Sequence, residues 1–325
     1  MNKEIWNSLP KAGSGLYNAD GSFESATHLK KRLATEGKLP VYDRDPKKPR
    51  KLTDFLNSAE QRSKDMKDTS SVSEGEIGIQ LPETSTVNFI GDLHFGHQNT
   101  NNKRIEQEVE TIKNADDNYV GLMGDLVDGI FWGGASQGEN ASNISEQHGF
   151  LRSLFKELKG KILFAVSGEH DSKWASKTGS DPYDLLTEET GAPYTRGVAE
   201  VKISAGDQEY KVVAQHKARG HSMYNKNHPT YRNARFNVQG ADVYVSAHNH
   251  QKQVSQETVR EFGGAREVTH VAVGPYKTHD EYGDRSGFIP QKEGEMYGAS
   301  VRLHADKRKV DVEPDILEAI RKWSE

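Results

Sequence analysis

The sequence contains no cysteine, so it can form neither a disulfide nor a metal site with thiolate ligands. A metal ion would therefore have to be bound by histidines, by carboxylates or by side-chain amides. The chain also lacks any stretch approaching the roughly 18 consecutive apolar residues of a membrane-spanning helix. Its N-terminal sequence, MNKEIWNSLPKAGSG, lacks the apolar segment of a signal peptide. We therefore expect a cytoplasmic protein that does not enter a membrane.

The net charge of −5 on 325 residues is mild and by itself indicates no class of partner. Basic residues nevertheless outnumber acidic ones near the N-terminus, with the highest density over residues 30–51. That segment could contact nucleic-acid phosphates, although a solvated basic linker explains it equally well. Residues 63–78 are polar, as is typical of a linker. We therefore predict a basic, partly irregular N-terminal extension over residues 1–80 and a main domain over residues 81–325.

Apolar residues make up only 34% of the chain, but in the main domain they gather into short runs that can form buried strands. Five such runs cover residues 86–91, 119–124, 162–168, 210–215 and 243–247. Between the first three runs, apolar residues recur at helical spacing over residues 105–112 and 151–158. This alternation predicts an α/β fold with a largely parallel sheet covered by helices. A hairpin is expected over residues 201–214, because two apolar runs flank Gly206.

Each of the five runs is followed at once by side chains that can bind a metal ion. In order, they are Asp92 with His94, Asp125 with Asp128, Glu169 with His170 and Asp171, His216, and His248 with His250. Ligands bind at the carboxyl ends of strands in open α/β sheets, so these side chains are expected to converge. A single Asp or His after a strand is usually a cap or a loop residue, but five such positions in order indicate a metal centre.

The ligand types favour a particular chemistry. Borderline divalent ions accept mixed imidazole and carboxylate ligands, and residues two apart on an extended segment point the same way. Two such ions about 3.5–4 Å apart can clamp a phosphate and lower the pKa of a bridging water, which attacks phosphorus in line. The residues thus predict phosphate-ester hydrolysis.

Residues 86–275 resemble the calcineurin-like metallophosphoesterases, whose motifs run Asp-x-His, Gly-Asp-x-x-Asp, Gly-Asn-His-Asp/Glu, His and Gly-His-x-His. The resemblance implies a four-layer α/β/β/α sandwich with two metal ions. It implies that one ion is bound by Asp92, His94 and His250, that the other is bound by Glu169, His216 and His248, and that Asp125 bridges them. It also implies that His170 protonates the leaving oxygen, or stabilises charge on it, while Asp128 or Asp171 orients neighbouring groups.

The chain departs from the family pattern at two positions. Ala247 replaces a glycine, which is a minor change. Glu169 stands where the family has asparagine, and it adds a methylene and a negative charge beside an anionic substrate. Glutamate can still bind a cation, but it should hold the second metal more tightly and repel phosphate more strongly. Activity is therefore expected to be altered in metal preference, slowed or lost.

The subclass is indicated by smaller features. Gly129 stands where protein Ser/Thr phosphatases carry arginine, and the Asp-x-His-x-Gly pattern is closer to phage-encoded phosphoesterases and double-strand-break repair nucleases. A phosphodiester substrate, DNA or RNA, is thus favoured. His97, Arg219 and His221 are candidate substrate contacts, although exposed loop residues are the commoner explanation.

The predicted function is a divalent-metal-dependent phosphodiesterase or nuclease that uses a metal-bridging hydroxide as nucleophile. Manganese is the preferred ion, with iron, zinc, nickel or magnesium as alternatives. Two alternatives remain open: a catalytically impaired scaffold or binding protein of the same fold, and a phosphomonoesterase.

Overall fold

A computed structural model describes most of the main domain and a few earlier residues. The described residues are 15–17, 23–25, 53, 56–57, 60–61, 75–129, 137–220, 222, 224–261, 264–287 and 289–324. Packing divides the chain into two units, residues 1–69 and 70–325. In the first unit, strands β1 (Gly15–Tyr17) and β2 (Phe23–Ser25) pair antiparallel. The basic segment 30–51 lies outside the described residues, so its predicted role stays a prediction, as does the predicted boundary at residue 80.

The described part of the second unit contains two six-stranded mixed sheets. Their strands are β3 (Ile77–Leu81), β4 (Ser85–Ile90), β5 (Asn118–Leu122), β6 (Ile162–Val166), β7 (Tyr194–Thr195), β8 (Val198–Ala205), β9 (Gln208–Gln215), β10 (Val243–Ser246), β11 (Gln253–Glu261), β12 (Gly264–Ala272), β13 (Ala299–Leu303) and β14 (Val310–Glu313). The first sheet has the order β14-β13-β4-β5-β6-β7, in which β4 to β7 are parallel. The second has the order β11-β12-β10-β9-β8-β3.

The second sheet combines a parallel centre with antiparallel hairpins. Strand β10 is parallel to both β9 and β12, whereas β8 and β9 form an antiparallel hairpin closed at Gly206. The hairpin expected over residues 201–214 is therefore confirmed. Gly206 has a φ of 54°, which glycine adopts readily at a tight turn.

The described helices follow from apolar spacing and from capping residues. They are α1 (Asn102–Asn114), α2 (Ile144–Glu157), α3 (Glu169–Thr178), α4 (Pro182–Thr190), α5 (His228–Phe236), α6 (Glu281–Arg285) and α7 (Ile316–Trp323). Helix α1 buries Ile105 and Ile112, as its sequence pattern predicts. Helix α2 begins with a capping box in which Asn143 and Glu146 satisfy each other's backbone N–H groups. None of the described helices combines the length and the apolar character that a bilayer crossing requires.

Three apolar clusters separate four layers. Between the sheets, Val87 and Phe89 of β4 pack with residues of the second sheet such as Val245. On the outer face of the first sheet, Ile90 joins a cluster that includes residues of α1, α2, α3, α4 and α7. A smaller cluster around Tyr244 involves Ala234 of α5 on the far face of the second sheet. The expected α/β/β/α sandwich is confirmed, and β4 is buried on both faces as a strand between such layers must be.

Candidate metal centre

The backbone turns sharply where the candidate ligands leave their strands. Among the described residues, six that are not glycine have a positive φ, and five of them are predicted ligands. These five are Asp92 (φ 49°), His94 (46°), Asp125 (50°), His248 (70°) and His250 (51°). The left-handed region is unfavourable for L residues by about 1 kcal/mol or more each, and such residues cluster at functional sites. The chain therefore turns away from regular strand geometry at the residues that carry the candidate ligands.

The first cluster consists of Asp92, His94 and His250, whose ligand atoms all lie within 4.8 Å of one another. His94 Nε2 lies 3.1 Å from His250 Nε2 and 3.9 Å from Asp92 Oδ1. Asp92 Oδ1 is buried and makes no hydrogen bond within the described chain, although His250 Nε2 is 3.4 Å away. Such a set of electron-pair donors around one point fits a borderline divalent cation.

The second cluster consists of Asp125, His216 and His248, again within 4.8 Å. His216 Nδ1 donates to the Met123 carbonyl at 2.6 Å, so Nε2 faces the cluster, 3.2 Å from Asp125 Oδ2. The two clusters are neighbours. The backbone N–H of His248 donates to Asp92 Oδ2 at 2.9 Å, and the backbone N–H of His94 donates to the Asp125 backbone carbonyl at 3.0 Å. Six predicted ligands from four strand ends therefore meet.

Burial and charge set the protonation of these groups. Burial lowers the pKa of His94 well below its ordinary value, with help from Lys277, and burial also lowers the pKa of His248. Both imidazoles are thus neutral near pH 7 and can offer a lone pair to a metal. Burial alone would lower the pKa of His216, but the Asp125 carboxylate raises it to about 10. Without a metal, Asp125 and His216 form an ion pair, and a divalent cation would replace its proton.

Asp128 supports the first cluster from outside. Its Oδ1 lies 3.1 Å from His94 Nδ1, so an Nδ1–H donor fixes the ring with Nε2 toward the cluster. Asn140 donates to its Oδ2 at 3.3 Å. His94, Asp128 and His170 also lie close enough together to suggest a third metal site. His94 Nδ1 is hydrogen-bonded to the Asp128 carboxylate, and His170 Nδ1 is hydrogen-bonded to the Asp128 backbone carbonyl. These three residues are therefore better explained as a network that supports the first cluster.

Asp171 ties two strand ends together. Its Oδ2 accepts the N–H of Gly168 at 2.9 Å, the N–H of Asp125 at 2.8 Å and the Tyr183 hydroxyl at 2.9 Å. These contacts hold Gly168, two residues beyond the end of β6, against Asp125, three residues beyond the end of β5. The approach requires glycine at position 168, because an added Cβ would lie 2.1 Å from Asp125 Oδ1. The Gly-x-His pattern of the third motif therefore has a steric cause.

Glu169 is the predicted ligand that the structure does not place in either cluster. Its carboxylate binds the Lys217 ammonium instead, and its side chain is 39% exposed. Burial alone would raise the pKa of Glu169, but the hydrogen bond from Lys217 lowers it below its ordinary value. That Glu169 binds a metal therefore stays a prediction; in the structure, its longer side chain reaches outward to Lys217, the cation that directly follows His216.

The candidate substrate contacts have different outcomes. His97 is buried, its Nδ1 accepts the Asn99 N–H at 3.1 Å, and its Nε2 lies 3.3 Å from Glu139 Oε2. This geometry does not support a substrate contact by His97, because both ring nitrogens hold the loop together. Arg219 is exposed just beyond the site-bearing end of β9. His221 lies outside the described residues.

Lys277 is a residue that the sequence reasoning missed. It is only 4% exposed, and its Nζ lies 2.7 Å from Asp280 Oδ2 and 3.6 Å from Asp128 Oδ1. Its charge therefore balances the carboxylate that orients His94. The signal for it was present, because Lys277 follows closely after β12, a strand parallel to β10 that ends at the same edge of the sheet.

Comparisons with known proteins give distant likenesses. No family model and no curated protein matches the chain. Among solved structures, it is similar to vacuolar protein sorting 29 from Cryptosporidium parvum, at 16% identity over 71% of this chain and 97% of that one (TM-score 0.32). It is also similar to the Pseudomonas putida nuclease MPE, at 12% identity over 70% and 87% (TM-score 0.31). A metallophosphoesterase from Sphaerobacter thermophilus aligns at 15% identity over 74% and 94% (TM-score 0.33). Function is therefore inferred from this chain's own side chains.

Proposed function

We propose that this protein is a divalent-metal-dependent phosphoesterase that hydrolyses phosphodiesters. The observation that carries the proposal is the pair of adjacent carboxylate–imidazole clusters built from separate strand ends. Asp92, His94 and His250 would hold one cation, and His216 and His248 would hold the other, with Asp125 between them. The donor set suits manganese, iron or zinc, and manganese is the proposed ion.

Bound cations would supply Lewis acidity, which polarises the phosphoryl group and lowers the pKa of a water molecule. The chain's own residues then handle orientation and protons. His170 is the proposed general acid. Its Nδ1 is hydrogen-bonded to the Asp128 carbonyl, so Nε2 is the ring nitrogen that would donate a proton to the leaving oxygen. The His170 backbone N–H also donates to Asp125 Oδ1 at 2.7 Å, which holds the main chain of His170 beside the proposed ligands. His170 is partly exposed, as a residue that meets substrate must be.

The substrate class rests on sequence features together with the site. The pattern Asp92 to Gly96 and the glycine at position 129 favour a phosphodiester, DNA or RNA, over a phosphoprotein. Gly96 is fixed by packing, because an added Cβ would lie 2.5 Å from the Gln147 amide nitrogen. Gln147 in turn accepts the Gly129 N–H at 2.8 Å. The two glycines therefore pack against the same buried side chain, that of Gln147, next to Asp128.

A non-catalytic metal-binding protein is a second candidate, and one observation favours it. Lys217 engages Glu169, so the second cluster has three protein ligands where the resemblance implies a further one. Three ligands and an open position are, however, also the arrangement of catalytic zinc sites. The placement of His170 beside Asp125 favours the enzyme.

The test is hydrolysis in the presence of manganese. The substrates are bis-p-nitrophenyl phosphate, p-nitrophenyl phosphate, and single- and double-stranded DNA. Wild type should cleave the diester, and His170→Ala should reduce kcat about 10²–10⁴-fold with the metal content retained. His148→Ala is the matched control, because this histidine lies on α2 against Trp174 and outside the clusters.

Each other outcome has a distinct meaning. Hydrolysis of the monoester alone would reject the diester substrate. Stoichiometric metal by elemental analysis without turnover of any substrate would support the binding protein. No bound metal would reject both candidates.

A further inference from the structure

A cleft of about 360 Å³ opens beside the second cluster. His216 and Gly168 belong both to the site and to the cleft wall, so the cleft continues directly from the proposed metal centre. The remaining wall comes from the ends of β6, β7 and β9 and from the first turn of α3. The proposed chemistry leaves this space unused.

The cleft is basic although the chain is acidic overall. Lys173, Arg196 and Lys217 line it against the single carboxylate of Glu169, in a chain with a net charge of −5. Clefts of one sign of charge concentrate ligands of the opposite sign. The lining therefore favours an anionic group.

The Arg196 guanidinium is held in place by a buried acid. It donates to Asp181 Oδ2 at 2.7 Å, and the same oxygen accepts the Tyr194 hydroxyl at 3.0 Å. Asp181 Oδ1 accepts the Tyr183 N–H at 3.0 Å at the start of α4. An arginine oriented in this way loses less side-chain entropy when it binds an oxyanion, and its planar fork suits phosphate.

Lys217 is oriented in the same manner by Glu169. The glutamate thus acts as a positioning residue for a cation at the mouth of the site. A carboxylate at position 169 adds negative charge beside the metal centre, which would repel phosphate. Its pairing with Lys217 gives a reason for its presence there.

Resting on the proposed function, we infer that this cleft binds the phosphate that neighbours the scissile one in a nucleic-acid strand. A polynucleotide carries a phosphate next to each diester, whereas a monoester or an isolated diester has none to place there. The natural substrate is then a DNA or RNA strand. Lys173 and Arg196 contact the backbone without reading its sequence.

The test compares binding and cleavage in a double variant, Lys173→Gln with Arg196→Gln. Binding of a fluorescein-labelled thymidine hexanucleotide is measured by fluorescence anisotropy over a salt series, with calcium in place of manganese. The variant should bind at least about tenfold more weakly, and its salt slope should fall by about 1 to 2, because up to two phosphate contacts are lost. The ratio of kcat/KM for the hexanucleotide over bis-p-nitrophenyl phosphate should fall in parallel.

The matched control is Lys113→Gln with Lys322→Gln, which removes the same charge from exposed residues of α1 and α7. Equal affinity and salt slope in the cleft variant and this control would overturn the cleft assignment. If wild type cleaves nothing, the proposed function fails, yet the anisotropy comparison still decides whether the cleft binds the strand. If wild type cleaves the isolated diester but the ratio is unchanged in the cleft variant, the function stands and the cleft assignment is rejected.

Discussion

Replacing Lys277 by methionine should destabilise the second unit, because the change removes a buried cation from two carboxylates. The Lys277 ammonium lies 2.7 Å from Asp280 and 3.6 Å from Asp128, and Asp128 is fully buried. Removing one partner of a buried ion pair typically costs about 3–5 kcal/mol. Asp280 keeps partial access to water, so we expect a loss of about 3 kcal/mol in the free energy of unfolding.

The pairing with Asp128 can be isolated by a double-mutant cycle with Asp128→Asn. At 3.6 Å and an effective dielectric constant of about 20, two unit charges attract by roughly 4–5 kcal/mol before desolvation is subtracted. We therefore expect a coupling free energy of about 1–3 kcal/mol, measured by urea unfolding followed by circular dichroism. A coupling below about 0.5 kcal/mol, the usual scatter between independent sites, would refute the reasoning.

Lys252 provides the matched control. It is also a buried lysine, but its Nζ donates to the Met296 carbonyl at 2.6 Å instead of pairing with a carboxylate. Lys252→Met should show no coupling to Asp128→Asn. Lys277→Met should also weaken manganese binding about 10–100-fold, because Asp128 orients His94. Unchanged affinity in a titration would show that Asp128 keeps its position without the lysine.

Three further changes test other parts of the molecule. Glu169→Ala should leave the metal content unchanged in elemental analysis, whereas Asp125→Ala should lower it; a loss in both would return Glu169 to the ligand set. Gly168→Ala should cost about 1–3 kcal/mol in thermal unfolding, because its Cβ would overlap Asp125, and an unchanged melting temperature would contradict this. Burial raises the pKa of Glu108 above its ordinary 4.5, despite Arg104. A carboxyl raised in the folded state favours folding at low pH and loses that contribution as pH rises. The stability of Glu108→Gln relative to wild type should therefore increase as the pH rises above 4.5 in urea titrations, and a decrease would show the opposite shift.

The succession of strands and helices along the chain, and the convergence of six candidate ligands, could be predicted from the sequence because both depend on local patterns. Residues 162–166 are apolar throughout, as is typical of a strand buried on both faces, and the metal-competent residue that follows each run marks the strand end. Asp92 and His250 are far apart in the chain, yet each follows the end of a strand. Because the carboxyl ends of parallel strands lie at the same edge of a sheet, Asp92 and His250 are expected to lie close together.

The contacts that Glu169 and His97 make in the structure could not be predicted, because no local pattern contains them. Glu169 pairs with Lys217, 48 positions away, so this ion pair is visible only once the ends of β6 and β9 lie side by side. His97 was a reasonable candidate for a substrate contact from its place beside Asp92. Its partner Glu139 comes from a segment with no periodic pattern, and that contact buries the ring.

The positive φ angles of the candidate ligands indicate that these residues are retained for the site and not for folding. Five left-handed residues at about 1 kcal/mol each are a sizeable fraction of the 5–15 kcal/mol by which a domain is stable. Glycine would relieve the strain at each position, but it would remove an imidazole or a carboxylate from the clusters. Packing alone gives no reason to retain five such residues at one point, whereas a bound cation does, because it requires all the donors together. The strain therefore argues for the metal centre itself, while turnover depends on groups outside it: His170 above the clusters and the basic cleft beside them.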